Sequence, residues 1–419
     1  MNVYGADVAQ LRELGRRFED AAARLEAGRM SVGDAIQVKA WFGPAAIAFR
    51  YEWESDHSRR ILNAAERLRT AAAALHSNAL EQERTSAVSA AGSGATARPR
   101  VDRPGSSLAA KWDAMTDEER RRLPLSQLTD VYGYAPSLPA RVRDEANRIA
   151  LERYLTMPCP AGPEAAVDRY RRMLVAIEQV QAALREHPDA QLLVFDPGSG
   201  DSVHVAISLG DMDTADNVAV HTQGWTSRAD KEGGLSDPLA RLAALRGHVG
   251  GETAMVLWMD YDAPQNQPSF GDVFGIANAQ QTQYGEAGAG RLADFAEGIR
   301  GNNPDARITA LGHSYGSYVT GLAAQQTDVF DAVVVFGSPG VGASSLDQLN
   351  VGPNFYVVEA PGDIIADSGQ FGADPSSIHG ARRIAADPMP QFFIAAHESY
   401  LREGSASQRG IADVVAGRR

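Results

Sequence analysis

Cysteine is almost missing from this chain: Cys159 is the only one in 419 residues. No intrachain disulfide can form, and no zinc site built on cysteines is possible. Set between Pro158 and Pro160, Cys159 reads as an inert residue. Positive charge is also short, with 40 Lys and Arg against 53 Asp and Glu and a formal net charge of −13. A general nucleic-acid binder needs a basic stripe, and short runs such as Glu119-Arg120-Arg121-Arg122 fit a solvated helix face instead. No apolar run reaches the ~18–20 residues of a membrane span. The opening "MNVYGADVAQLRELGRRFED" lacks the charged-then-apolar order of a signal peptide. A soluble chain without nucleic-acid partners or transmembrane segments is expected, and any export by a route other than general secretion.

Cofactor motifs are missing too. "DMDTADN", Asp211 to Asn217, lacks the glycine and terminal glutamate of a calcium loop. His397-Glu398 has no second histidine at helical spacing, so there is no zincin motif. "PGSGDS" fails the Gly-x-Gly-x-x-Gly pattern and "GEAGAGR" lacks the lysine and hydroxyl of a P-loop. No metal, nucleotide or other cofactor is expected.

What is present is 44% apolar residues, enough for a sizeable core, and a length suited to two or three domains. Residues 1–84 carry two apolar series at helical spacing. The first is Val8, Leu11, Leu14, Phe18, Ala21, Leu25; the second runs from Ile47 through Ile61, Ala65, Leu68, Ala72 and Leu75 to Ala79. Between them "KAWFGPAA" breaks the pattern at Gly-Pro, which predicts a helical hairpin turning at Trp41-Phe42-Gly43. Residues 85–107 are Ala/Gly/Ser/Pro-rich and read as a flexible linker. Residues 108–190 are again helical, with Thr116 and Glu119 forming a capping box. From 191 to 401 short apolar runs alternate with helical stretches: "QLLVFDP", "SVHVAISLG", "NVAVHTQG", "TAMVLWMDYDAP", "RITALGHS", "AVVVFGSPG", "NFYVVEAPGD" and "QFFIAAHES". Residues 402–419 remain as a tail. Apolar strands alternating with helices predict an α/β fold with a mostly parallel sheet covered on both faces, behind an all-α hairpin domain. Chemistry in such sheets sits at the carboxyl ends of the strands. Those ends carry His221–Gly224, Asp260, Ser314, Ser338, Asp363 and His397.

Gly312-His313-Ser314-Tyr315-Gly316 matches Gly-x-Ser-x-Gly between a strand-like and a helix-like run. A serine on so sharp a bend needs small neighbours, and the bend exposes its hydroxyl beside a helix N-terminus able to hold an oxyanion. The hydroxyl needs a base, and the chain order for this fold is Ser, acid, His. Asp363 follows an apolar run and a Pro-Gly turn; Asp367 is the alternative acid. Two histidines follow, His379 with no strand before it, and His397 at the end of an apolar run, which is preferred. Ser314, Asp363 and His397 are the expected catalytic residues, with backbone N–H groups of Tyr315 and of Gln223 or Trp225 as oxyanion donors. His221 precedes the serine in the chain and reads as loop structure or a substrate contact.

Two resemblances follow from these motifs. The helix, Trp-x-Gly corner and second helix of residues 1–84 resemble the WXG family of helical hairpins exported by bacterial type VII secretion, often in front of an effector domain. That implies a hairpin partner or homodimer and a secreted or cell-envelope location, with the cytoplasm as the alternative. The family's Tyr-x-x-x-Asp/Glu export signal is missing, because no tyrosine here has an acid four residues on. "GHSYGS", "GSPG", "EAPGD", "HESY", "MDYDAP" and the upstream "LPARVRDEANR" resemble bacterial α/β-hydrolases long described as a domain of unknown function. That implies the α/β-hydrolase fold over about 108–401, the Ser314–Asp363–His397 triad, and ester hydrolysis as a class; it names no substrate, and a small-molecule ester or a lipid is expected. The competing expectation is a non-catalytic hydrolase scaffold that works through its hairpin.

Overall fold

The computed structural model describes residues 8–38, 53, 58, 61, 65, 68, 69, 72, 106–160, 164–198, 200, 202–265, 279–388 and 396–419. Two compact units divide the chain, Met1–Pro104 and Gly105–Arg419. In the first, helix α1 (Val8–Val38) shelters Gly15, Phe18, Ala22, Leu25 and Arg29, spaced by three and four. Leu14, expected on the apolar face, lies off that stripe and is exposed. Ala65 and Ala72 are buried, Arg69 pairs with Glu26 at 2.6 Å and Arg29 donates to Ser58 Oγ at 3.2 Å, so the described positions among 58–72, all helical, face α1 through these contacts. The Trp41-Phe42-Gly43 corner and residues 85–105 lie outside the described residues.

Ser106 and Ser107, expected to end the linker, instead begin α2 (Ser106–Ala114) of the second unit. Then come α3 (Asp117–Arg122), a π-helical turn (Gln127–Gly133), α4 (Ala140–Thr156) and α5 (Glu164–Glu186). Thr116 caps α3: its side chain accepts from the Glu119 N–H and the Glu119 carboxylate accepts from the Thr116 N–H, which satisfies two donors at the helix start. Trp112, Leu128, Leu138 and Val142 form a small core of their own beneath this segment.

Eight strands follow: β1 (Ala190–Asp196), β2 (His204–Leu209), β3 (Asn217–Thr222), β4 (Thr253–Met259), β5 (Arg307–His313), β6 (Ala332–Phe336), β7 (Phe355–Val358) and β8 (Arg382–Ile384). They form one sheet in the order β1-β2-β4-β3-β5-β6-β7-β8. β2 runs antiparallel to both neighbours, and every pairing from β4 to β8 is parallel. Helices α6 (Ser236–Val249), α7 (Ala279–Asn302), α8 (Tyr315–Gln326) and α9 (Ala406–Val415) complete the unit.

Alternation along each strand sends its residues to two cores. Ala254, Val256 and Trp258 of β4 join Leu292 and Phe295 of α7 and Val319 of α8. Met255, Leu257 and Met259 join Ile177 of α5, Leu239 of α6 and Ile411 and Val414 of α9. Burial of each such side chain contributes roughly 1.5–3 kcal/mol, so the parallel strands leave little room for polar groups except at their ends.

Of the expected strand "QFFIAAHES", residues 391–395 lie outside the described residues, and Ala396 and His397 begin a helical turn. Strand β8, Arg382–Ile384, was not expected and follows His379; with both arginines exposed it presents no apolar run to read. Residues 402–419 are not a loose tail, because Ile411, Ala412, Val414 and Val415 of α9 are buried against the sheet.

Candidate active site

β5 runs into α8 with one residue, Ser314, between them, at φ 55° and ψ −130°. Among the described residues only Ser314 and Thr226 combine a side chain with a positive φ. L-residues avoid that region, so both positions store backbone strain. The bend is held by hydrogen bonds from Ser314 N to Phe336 O at 3.1 Å and from Ser317 N to Ser314 O at 2.9 Å. The flanking glycines are steric necessities. A Cβ on Gly316 would stand 2.2 Å from Thr222 O, and one on Gly312 would stand 2.7 Å from Ser317 Cα. The motif is therefore the price of seating α8 directly against the end of β3.

The loop after β3 closes over the serine. A Cβ on Gly224 would fall 2.7 Å from Ser314 Cβ and 2.9 Å from Tyr315 N, so Gln223, Gly224 and Trp225 pass directly above the elbow. Thr226, with its positive φ, is anchored by its N–H to Pro264 O at 2.9 Å, and Lys231 Nζ donates to Thr226 O at 2.9 Å. Tyr261 Oη donates to Gln223 O at 2.5 Å.

Asp363 follows β7 after a turn through Gly362, and its N–H donates to Ala360 O at 3.0 Å. His397 Nδ1 donates to Asp363 Oδ2 at 2.9 Å and lies 3.1 Å from Oδ1. Oδ1 also accepts from Ile365 N at 3.1 Å. Burial alone would raise the Asp363 pKa, but the bonds from His397, Tyr400 and the Ala366 N–H hold it below the usual carboxylate range. Asp367 and His379, the alternative acid and base, are exposed. Asp367 instead gathers with Glu359 and Asp374, the one carboxylate group among the described residues close enough to share an ion. Burial and a hydrogen bond to Asp367 raise the Glu359 pKa.

Ser314 and His397 line one cleft of about 480 Å³, together with Gln223, Trp225, Phe371 and Leu401. No hydrogen bond joins Ser314 to His397 among the described residues. Such bonds are often loose in unliganded sites and tighten when substrate arrives. His221 and His313 also line the cleft, each with its ring nearly parallel to Phe336. Burial, then the charge of His313, pushes the His221 pKa down to about 3; burial, then the charge of His397, pushes His313 to about 4. His313 Nε2 donates to His397 O at 2.8 Å, a contact the sequence did not signal. Asp260 belongs to a separate buried group, 3.1 Å from Arg291 and 3.2 Å from His204. Ser338 is buried in its own turn at 3.3 Å from Gly340 O.

A strained serine between a parallel strand and a helix, below a loop from the third strand and in one cleft with a carboxylate-bound histidine, is the arrangement of the hydrolase class of α/β proteins. The model of a family described as alpha/beta hydrolase matches residues 196–373, and the chain belongs to that family. It is similar to an uncharacterized protein of Mycobacterium tuberculosis, at 31% identity over 231 residues that make up 51% of this chain and 83% of that protein. A second uncharacterized Mycobacterium tuberculosis protein is 26% identical over 371 residues, 73% of this chain and 54% of that protein. Among solved structures, a Trichoderma reesei cutinase bound to a phosphonate inhibitor aligns at TM-score 0.31 and 14% identity, over 64% of this chain and 97% of the cutinase. An esterase from Pyrobaculum calidifontis aligns at TM-score 0.34 and 12% identity, over 65% of this chain and 97% of the esterase.

Proposed function

We propose that the protein is a serine hydrolase that cleaves carboxylic esters through an acyl-enzyme. The observation that carries this reading is the strained Ser314 in one cleft with a histidine whose Nδ1 is bound by a buried carboxylate. His397 Nε2 takes the hydroxyl proton as Ser314 Oγ attacks the acyl carbon, and Asp363 holds the ring and offsets its charge. The oxyanion forms between the first turn of α8, at the Tyr315 N–H, and the N–H of Gln223 or Trp225 in the overlying loop. His397 then protonates the departing alkoxide. Water, activated by the same imidazole, hydrolyses the acyl-serine and restores the enzyme.

A cleft of about 480 Å³ suits a small or medium ester, and Trp225, Ile365 and Phe371 supply an apolar wall for its acyl group. A fluorophosphonate is expected to label the wild-type chain at Ser314, and neither Ser314→Ala nor His397→Ala is expected to react at a comparable rate. p-Nitrophenyl esters of increasing acyl length then report how much of the wall is used. Unreduced labelling of Ser314→Ala would refute the assignment. On the same reading, residues 1–84 direct the chain to the envelope or outside, the support being the hairpin pattern of the sequence. Loss of the chain from the extracellular fraction when those residues are deleted tests this, and unchanged export would sink it.

A further inference from the structure

Tyr400 is 1% exposed and sits three residues after His397, in the same turn. Its hydroxyl donates to Asp363 Oδ2 at 2.6 Å and accepts from the Ala360 N–H at 3.0 Å. The oxygen that receives the His397 bond thus also receives a phenol proton. Asp363 Oδ1 is occupied from the other side by the N–H groups of Ile365 and Ala366. The convergence is crowded: a Cβ on Gly337, at φ 57°, would meet the Tyr400 ring at 2.8 Å, His397 Nδ1 at 2.9 Å and Asp363 Oδ2 at 3.0 Å. The tyrosine backbone is tied down in turn, since Ser407 Oγ of α9 donates to Tyr400 O at 2.7 Å. None of this is needed merely to bury a ring. A phenylalanine would fill the same space between Phe336 and His313 without a donor aimed at the carboxylate.

We propose that Tyr400 is a positioning residue of the site: its hydroxyl locks the rotation of the Asp363 carboxylate and carries part of its charge, which sets how strongly His397 holds a proton. The proposal rests on the reading of Ser314, Asp363 and His397 given above. A carboxylate relieved of the phenol donor concentrates its charge on the imidazole, favours the imidazolium and leaves less free base at low pH. The other charged or titratable groups facing this point are His313 at the end of β5, Glu359 at the end of β7, and Glu398 on the same turn, paired with Arg241 of α6 at 3.3 Å. They remain in place when only the hydroxyl is removed.

The test measures the second-order rate of fluorophosphonate labelling of the full chain across pH 5 to 9, which needs no natural substrate. Tyr400→Phe is expected to label roughly tenfold more slowly at neutral pH, with the acid limb moved up by about half a unit to one unit. Incorporating 3-fluorotyrosine at position 400 keeps the ring and hydroxyl and strengthens the donor, so the limb is expected to move the other way. That second variant preserves the test if the phenylalanine chain does not fold. An unmoved limb in the fluorotyrosine protein, or in folded Tyr400→Phe, overturns the proposal, even if the melting temperature falls. If wild type is not labelled, or Ser314→Ala is labelled equally, the underlying triad reading fails. If those controls behave and only the position-400 limb is unmoved, the tyrosine role fails alone.

Discussion

The strain at Ser314 can be isolated by comparing two variants that both lack the hydroxyl. At φ 55° and ψ −130° the serine occupies backbone space natural only to glycine. Ser314→Ala removes the hydroxyl and keeps Cβ, so it keeps the strain; Ser314→Gly removes both. Strain of this kind is worth about 1–3 kcal/mol. Glycine returns roughly 0.5–1 kcal/mol through the greater freedom of the unfolded chain. The balance leaves Ser314→Gly more stable than Ser314→Ala by about 1 kcal/mol, although it has lost a methyl group from the interior. For a unit the size of Gly105–Arg419 the unfolding entropy is large, so this corresponds to only about 1–2 °C in melting temperature. Replicate calorimetry on both variants in one buffer resolves that difference. The reasoning fails if the alanine variant melts at the same temperature as the glycine variant or above it, because the bend would then carry no strain for glycine to release.

Two further outcomes follow from the same geometry. Gly316→Ala drives a methyl group to within 2.2 Å of Thr222 O and 2.7 Å of Gln223 O, both backbone atoms that cannot rotate away. It is expected to cost about 1–3 kcal/mol and to slow labelling at least tenfold, whereas Gly301→Ala, on α7 with nothing within 4 Å, is expected to stabilise by about 0.5–1 kcal/mol. The buried His221 and the half-buried His313 have pKa values lowered from 6.5 to about 3 and about 4, so below pH 6.5 the unfolded chain binds protons that the folded chain refuses. Their stability contribution is complete above that pH and is lost as pH falls; between pH 7 and 5 each residue should account for about 2 kcal/mol of lost stability, and denaturation curves of His221→Gln should show a correspondingly shallower decline. An equal decline in wild type and variant would rule out that origin.

What could be read from the sequence was set by how strongly each feature constrains composition. β4 was readable because all seven of its residues, Thr253–Met259, are buried, and a strand covered on both faces has no alternative to an apolar run. β8 was not, because an edge strand of three residues with two exposed arginines carries no such demand. His397 was singled out by the order of chemical groups, and the residues expected as a strand before it, 391–395, lie outside the described residues. Gly312 and Gly316 were readable because a short motif reports a local steric conflict. Gly224, Thr226, Gly337 and Tyr400 were not: their roles arise from contacts between segments far apart in the chain, where no spacing rule applies. α1 shows the limit of periodicity, since the series through Leu14 sits slightly out of phase with the buried stripe through Gly15 and Ala22.

Three histidines line the cleft, and on the proposed mechanism only one can be the base. Their hydrogen bonds separate them better than their order does. His221 spends Nδ1 on Leu311 O at 3.3 Å, and His313 spends Nε2 on His397 O at 2.8 Å. His221 is buried and His313 half-buried, and among the described residues neither ring meets a carboxylate within hydrogen-bond distance, so a proton added to either would be a poorly solvated charge without an ion-pair partner. His397 alone has Nδ1 on a carboxylate, which makes accepting a proton at Nε2 electrostatically tolerable. The His313 ring centroid lies 4.9 Å from that of His397, close enough that a charged His313 would oppose the imidazolium formed in each turnover. On the proposed mechanism, the desolvation that lowers the His313 pKa therefore favours catalysis as well as carrying an acid-stability cost. The protein tolerates that cost at the one place where a second positive charge would compete with the reaction.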